Sequence, residues 1–224
     1  MTTPFLFQVS AIVIATFLLL HVFHVTATST DEEDTSMAYL RDENGERMLN
    51  GGTYYIVRRI NRKDAGGLTV VPNTNTQLGQ GSACPLYITQ EKDANSNGIP
   101  VKIVSSHINS KYLPFGTTDF TFVGVNTECT EPLVWRLHTD SATGHNYVAA
   151  GTNQSNIPSA FFILIPFNYV ESSLYEINFC DRSVCGRASF LGQNGLMGID
   201  RAIDVAFLFR KAFNQSSSLF NSVI

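Results

Sequence analysis

The sequence lacks the motifs that most enzymes and zinc sites would need. It contains no Cys-x-x-Cys pair and no Gly-x-Ser-x-Gly frame, and the histidines that follow residue 27, His107, His138 and His145, stand in no comparable frame. His138 near Asp140 could imitate part of a catalytic dyad, but a turn beside a strand explains both residues. We therefore predict that the chain is not an enzyme and that it holds no metal and no cofactor.

Charged residues are scarce, at 15% of the chain, and the formal net charge is −4. The notable basic cluster consists of Arg58, Arg59, Arg62 and Lys63. A protein that binds nucleic acid usually presents a broad basic surface. We therefore predict no nucleic-acid partner.

Charge is missing altogether between Phe5 and Val25, a stretch that is almost wholly apolar. Its centre, residues 11–20, has the length of a signal-peptide h-region, and small residues up to Ala27 precede a possible cleavage site, although the first eight residues carry no Lys or Arg. We predict a signal peptide over residues 1–27, no membrane attachment after cleavage, and secretion to the apoplast or delivery to the vacuole. A membrane anchor is the alternative, because about 20 apolar residues could just span a bilayer.

Two polar segments flank the rest of the chain. Residues 28–36 contain four consecutive acidic side chains and are predicted to be disordered, and residues 213–224 are predicted to form a flexible tail. The apolar end of that tail could be a sorting propeptide or a frayed terminus. Residues 37–212 are long enough for one domain with a substantial core.

No segment sustains an apolar period of 3.6 residues long enough to predict a helix. From Thr53 onward, short runs rich in Tyr, Ile, Val, Phe and Thr alternate with turn clusters, among them 64–67 and 192–198. The lone tryptophan, Trp135, is expected in the core. About a dozen short strands favour an all-β barrel or sandwich. The predicted strands are 53–60, 68–71, 86–89, 101–104, 120–125, 134–137, 147–149, 161–165, 175–179, 188–191 and 205–209.

Four cysteines, Cys84, Cys129, Cys180 and Cys185, follow the predicted signal peptide. An even number of cysteines in an exported chain indicates two disulfides. Three pairings are possible, and sequence order favours Cys84 with Cys129 and Cys180 with Cys185. A metal site is the weaker alternative, since no histidine flanks the cysteines as a zinc site would require.

The segment from Arg41 to Ile56 resembles the opening of the plant Kunitz protease inhibitors, the soybean trypsin inhibitor family. The resemblance extends from about Met37 to Lys211 and implies a β-trefoil of twelve short strands in three pseudo-repeats, with residues 37–212 as one inhibitor domain. Further matches occur in the order typical of the family, including Cys84-Pro-Leu86, Gly98-Ile-Pro-Val101, Trp135, Phe179-Cys180 and Phe207-Leu-Phe-Arg-Lys211.

This resemblance implies a function without catalysis. Family members hold a rigid, substrate-like loop in the cleft of an endopeptidase, and a preorganised loop loses little conformational entropy on binding. The chain is thus expected to be a secreted monomer that forms a one-to-one complex with a protease, first of all a serine endopeptidase, in plant defence or in control of the plant's own proteases. The alternative is a non-inhibitory β-trefoil binding or storage protein of the miraculin-like type.

The family's reactive loop lies between the fourth and fifth strands, here residues 104–119. An ungapped count from Gly98 places Ile108 in the S1 pocket of the protease. An aliphatic side chain cannot pair with the carboxylate in trypsin's S1 pocket, so an elastase-like or subtilisin-like pocket suits it better. Lys111 is an alternative anchor if the loop is shifted. The expected contact segment is Ser105, Ser106, His107, Ile108, Asn109 and Ser110.

Asn50 matches the family position whose side-chain amide supports the loop from beneath. An amide suits this role because it offers two donors and one acceptor on a short stem. The alternative is that Asn50 serves only as a turn residue before Gly51 and Gly52.

Two N-glycosylation sequons begin at Asn153 and Asn214. Asn153 falls in a predicted surface turn. We predict a glycoprotein if the chain enters the secretory pathway.

Overall fold

The structure is a computed structural model, and the residues that it describes all belong to the unit Met37–Ile224. The predicted signal peptide, the acidic segment 28–36, the tail 213–224, both sequons and the loop residues Ser106, His107 and Ile108 lie outside the described residues. The described residues are 38–72, 83–105, 109–129, 132–140, 144–151, 161–167, 173–180, 185–192, 195–200 and 204–212.

The described residues include twelve β-strands, and none of these residues lies in a helix. In the sixth strand, Leu133, Trp135 and Leu137 are buried while the residues between them are partly exposed. This alternation is that of a strand with one face on the core. No described helix is long and apolar enough to cross a membrane. The strands are β1 Thr53–Ile60, β2 Lys63–Pro72, β3 Leu86–Gln90, β4 Val101–Ser105, β5 Thr117–Phe122, β6 Leu133–Thr139, β7 Asn146–Ala150, β8 Phe161–Pro166, β9 Leu174–Cys180, β10 Cys185–Leu191, β11 Leu196–Asp200 and β12 Ala206–Lys211.

Strand pairing has an approximate threefold repeat. Six strands close a barrel in the order β1, β4, β5, β8, β9 and β12, with β12 paired back to β1. The other six form three hairpins, β2–β3, β6–β7 and β10–β11, and β3, β7 and β11 pair with one another. Each pairing recurs four strands later, and closure leaves the barrel without an edge. The structure therefore confirms the predicted all-β class and β-trefoil.

The strand prediction was wrong at β11 and at the start of β2, and β5 spans Thr117–Phe122 instead of the predicted 120–125. Residues 196–200 form β11, where the sequence predicts a turn over 192–198. Gly198 lies in this strand because the absence of a side chain leaves space for a neighbouring strand. A Cβ atom at Gly198 would lie 2.7 Å from the carbonyl oxygen of Asn146. The predicted turn 64–67 belongs to β2, since the chain reverses earlier, at Asn61 and Arg62, which both have positive φ, as in a two-residue hairpin turn.

The core brings together aromatic side chains from different strands. Trp135 is fully buried, stacks on Phe120 with ring centroids 4.7 Å apart, and meets the ring of Phe162 at 5.7 Å. Each buried side chain of this size stabilises the fold by roughly 2 to 3 kcal/mol. The expected core position of Trp135 is confirmed, and the barrel provides a firm base for the loops at its ends.

Both disulfides are present in the pairing that sequence order favours. Cys84 bonds to Cys129 with the Cα atoms 5.5 Å apart, and Cys180 bonds to Cys185, its partner across β9 and β10. The longer loop stabilises the fold by roughly 4 kcal/mol in the chain-entropy model. All four sulfur atoms are thereby used, which overturns the metal-site alternative for the cysteines.

Candidate reactive-loop site

The candidate loop connects two paired strands of the barrel. β4 and β5 are antiparallel, and their register ends at Ser105 opposite Thr118. Ser105 is buried, whereas Asn109 is exposed. Ser105 and Thr117 thus lie at the same end of the barrel, and the candidate loop joins the fourth strand to the fifth there.

Asn50 bonds to both ends of the segment 105–110. Its Oδ1 atom accepts a hydrogen bond from the backbone N–H of Ser105 at 2.9 Å, and its Nδ2 atom donates to the carbonyl oxygen of Ser110 at 3.1 Å. The backbone N–H of Asn50 donates to the carbonyl oxygen of Lys111 at 3.0 Å. Donor and acceptor of one short amide are therefore used across the base of the loop.

The turn that carries Asn50 is itself fastened to the barrel. Gly52 donates its N–H to the carbonyl oxygen of Leu49 at 3.0 Å, so Asn50 is also a turn residue. Gly51 and Gly52 exchange backbone hydrogen bonds with Ile103 in β4 at 2.8 and 3.0 Å. Asn50 is thus held in place by backbone bonds that do not involve the loop.

Tyr54 is a supporting residue that the sequence analysis missed. Its hydroxyl accepts a hydrogen bond from the N–H of Leu49 at 2.7 Å, and its ring is almost completely buried. Burial is also the main reason why the pKa of Tyr54 is raised. The available signal was the tyrosine that follows Gly51-Gly52-Thr53 in the segment matched to the family.

The second half of the loop is paired with the segment that precedes β1. Leu49 bridges Tyr112 and Tyr39 bridges Pro114, while Leu113 donates its N–H to Met48 at 2.8 Å and is fully buried. Ser110 closes this half locally through a 2.6 Å hydrogen bond from Oγ to the carbonyl oxygen of Tyr112. Residues 110–115 are therefore integrated into the domain.

His138 and Asp140 lie on a different part of the fold, at the β6–β7 hairpin. Asp140 closes the turn through its backbone, donating to His145 at 2.9 Å and accepting from Gly144 at 2.8 Å. His138 meets the ring of Tyr87 edge to face at 5.8 Å. Burial lowers the pKa of His138, and nearby Asp140 only partly offsets this. This geometry fits the explanation of a turn beside a strand.

The lowered pKa of His138 has a measurable consequence for stability. As the pH falls, His138 takes up a proton at a higher pH in the unfolded state than in the folded state. The contribution of His138 to the free energy of unfolding is therefore fully present above its usual pKa of 6.5 and is lost as the pH falls toward the folded-state pKa. We expect an NMR titration midpoint below 6.5 for His138, and we expect His138→Phe to weaken the pH dependence of urea unfolding below that value. A midpoint above the usual value would contradict the prediction.

Comparison with known proteins identifies relatives among inhibitors. The chain is 26% identical over 167 residues to the endogenous alpha-amylase/subtilisin inhibitor of Triticum aestivum, which covers 68% of this chain and 89% of the wheat protein. It is 30% identical over 145 residues to trypsin inhibitor 1B of Erythrina variegata, covering 64% of this chain and 76% of that one.

Solved structures show the same fold. The soybean trypsin inhibitor in its complex with porcine pancreatic trypsin matches with a TM-score of 0.63 and 25% identity, over 79% of this chain and all of the inhibitor. The family model of the legume Kunitz type, described as trypsin and protease inhibitor, matches residues 40–210. The chain therefore belongs to the legume-type Kunitz family of trypsin and protease inhibitors.

Proposed function

We propose that this protein inhibits a serine endopeptidase of the subtilisin or elastase type by presenting residues 105–110 as a substrate-like loop, with Ile108 in the S1 pocket. The observation that carries the proposal is the bonding of Asn50 to both ends of this segment, at Ser105 and at Ser110. The protein has no catalytic role in this mechanism.

A loop supported in this way opposes its own hydrolysis. Its ends are held before the protease binds, so that binding requires little further ordering. After cleavage the two new termini would stay near each other, because Ser105 and Ser110 remain bonded to the same side chain. The bond can then be resynthesised, and the protease stays occupied.

The backbone favours Ile108 over Lys111 as the anchor. A scissile carbonyl must turn toward the oxyanion donors of the protease. The carbonyl oxygens of Ser110 and Lys111 instead accept hydrogen bonds from Asn50 at 3.1 and 3.0 Å. These two bonds support a reactive bond in the part of the loop before Ser110, where the ungapped count puts Ile108.

Specificity follows from the aliphatic side chain at residue 108. Trypsin's S1 carboxylate would be left buried without a cation, which is costly. The wheat relative is named as an alpha-amylase/subtilisin inhibitor, and subtilisin is the type of protease whose S1 pocket accepts apolar side chains. We propose a one-to-one complex of a monomeric inhibitor with an interface on the order of 1,600 Å².

Location and processing belong to the same proposal. We propose that the signal peptide 1–27 is cleaved off. The exported chain would then consist of the disordered acidic segment 28–36, the domain 37–212 and the flexible tail 213–224, and it would act in the apoplast or vacuole as part of plant defence. Glycosylation at Asn153 or Asn214 would accompany passage through the secretory pathway.

The direct test is an inhibition panel with the exported chain beginning at Thr28. We expect stoichiometric, one-to-one inhibition of subtilisin or elastase and much weaker inhibition of trypsin, measured as residual activity on small chromogenic substrates. Failure against serine, cysteine and aspartic proteases, with the fold intact by circular dichroism, would contradict the proposal. Binding to a glycan array in that case would favour a miraculin-like binding protein.

A further inference from the structure

A compact group of cations and aromatic rings adjoins the reactive loop on its carboxyl-terminal side. We call it the cationic rim, and it consists of Tyr39, Arg47, Leu49, Lys111 and Tyr112. The guanidinium carbon of Arg47 lies 5.5 Å from the ring centroid of Tyr39 and 5.3 Å from that of Tyr112. The two rings meet edge to face with centroids 5.7 Å apart. Arg47 is therefore positioned by two aromatic rings.

A second cation contacts the same ring. The Nζ atom of Lys111 lies 5.3 Å from the ring centroid of Tyr112, and Lys111 is exposed. Within the described part of the chain, Lys111 forms no ion pair. The carboxylate of Glu46, which precedes Arg47 in the chain, lies 3.9 Å from the Nζ atom of Lys211. The quadrupole of an aromatic ring attracts a cation without neutralising it, so the charge of Lys111 remains available outside the domain.

The rim is continuous with the proposed contact segment. Lys111 follows Ser110 directly in the chain, and Leu49 precedes Asn50 and bridges Tyr112. Leu49 is 38% exposed, so a large apolar side chain lies at the surface opposite Tyr112. Tyrosine and arginine are also the residue types that most often dominate the energetics of protein interfaces. When a protease binds residue 108 in its S1 pocket, the protease surface that borders the primed subsites must therefore lie close to the rim.

The charge of the whole chain makes this local field important. With a formal net charge of −4, the chain would be repelled by an acidic protease at long range. A positive patch beside the loop lowers that repulsion only when the inhibitor approaches with the loop facing the protease. Such patches act mainly on association rate and partner choice.

We propose that the cationic rim docks against a carboxylate-bearing surface beside the primed subsites of the target protease, and thereby selects acidic proteases of the inhibited class. This inference rests on the proposed inhibitory function. The side chain at residue 108 determines which type of S1 pocket the inhibitor fits. Among proteases with such a pocket, the rim determines which ones associate rapidly.

The test compares Lys111→Glu with the matched control Lys63→Glu, which makes the same charge change at the far end of β1. β1 begins at Thr53, three positions after Asn50, and ends at Ile60, which pairs with Lys63; the strand spans about 23 Å. Stopped-flow association is measured with subtilisin and with a subtilisin variant carrying two added aspartates beside its primed subsites. We expect Lys111→Glu to slow association with the acidic variant about tenfold at low salt, and Lys63→Glu to slow it less than about twofold.

The salt dependence and the second protease complete the test. The difference between the two inhibitor variants should shrink at about 0.5 M NaCl, because screening removes the interaction of exposed charges. It should also be smaller with unmodified subtilisin than with the acidic variant. Equal association rates for both inhibitor variants, with inhibition intact, would overturn the rim and leave the proposed function standing. Absence of inhibition by the unaltered chain would overturn both.

Discussion

Replacing Ile108 with arginine is expected to improve inhibition of trypsin by about a hundredfold or more. The carboxylate in trypsin's S1 pocket is left unpaired by isoleucine, and an arginine would satisfy it with two parallel hydrogen bonds. Losing one partner of a buried charge pair costs about 2 to 5 kcal/mol, which corresponds to roughly 30-fold to several thousandfold in affinity. The inhibition constants of the variant and the original chain for trypsin measure the effect, and affinity for subtilisin should fall in parallel.

The matched control is Asn109→Arg, which places the same side chain one position later. It should leave trypsin inhibition unchanged, because residue 109 would follow the scissile bond and would not enter the S1 pocket. A gain with Asn109→Arg and none with Ile108→Arg would show that the register is displaced by one residue. No gain from either variant, with unchanged circular dichroism and thermal stability, would remove residue 108 from the role of anchor.

Local patterns predicted much of the fold because strands carry their own signal. The alternation around Trp135 identifies β6 without further knowledge, since every second side chain points into the core. β11 is not predicted from the sequence, and the reason is physical. Gly198 resembles a turn residue in the sequence, and only the position of Asn146 shows that a side chain there would collide with another strand.

The candidate site was less accessible to sequence reasoning because its contacts are not local. Asn50 was selected through the family resemblance, but its hydrogen bonds reach Ser105 and Ser110, 55 and 60 positions away in the chain. The cationic rim depends likewise on the bridge between Leu49 and Tyr112, which sets the register of two irregular segments. No local periodicity predicts such a register, so the sequence does not indicate that Arg47 and Lys111 both contact the ring of Tyr112.

Asn50→Ala is expected to raise the rate at which a bound protease hydrolyses the loop by about 30-fold. The substitution removes the side-chain hydrogen bonds to Ser105 and Ser110 and keeps the backbone bond to Lys111. Two hydrogen bonds at about 1 kcal/mol each give an effect of this size. Cleavage is followed on reducing gels, because the Cys84–Cys129 disulfide would otherwise join the two fragments.

Asn50→Asp distinguishes support at one end of the loop from support at both. Its carboxylate can still accept the N–H of Ser105, but it cannot donate to the carbonyl oxygen of Ser110. Resynthesis needs both new termini in place, so losing either bond should release one of them. At about 1 kcal/mol for the one hydrogen bond that is lost, we expect Asn50→Asp to be cleaved about fivefold faster than the original chain and more slowly than Asn50→Ala. A cleavage rate equal to that of the original chain for Asn50→Ala, at unchanged thermal stability, would remove Asn50 from the mechanism. A rate for Asn50→Asp equal to that of Asn50→Ala would contradict independent support of the two ends.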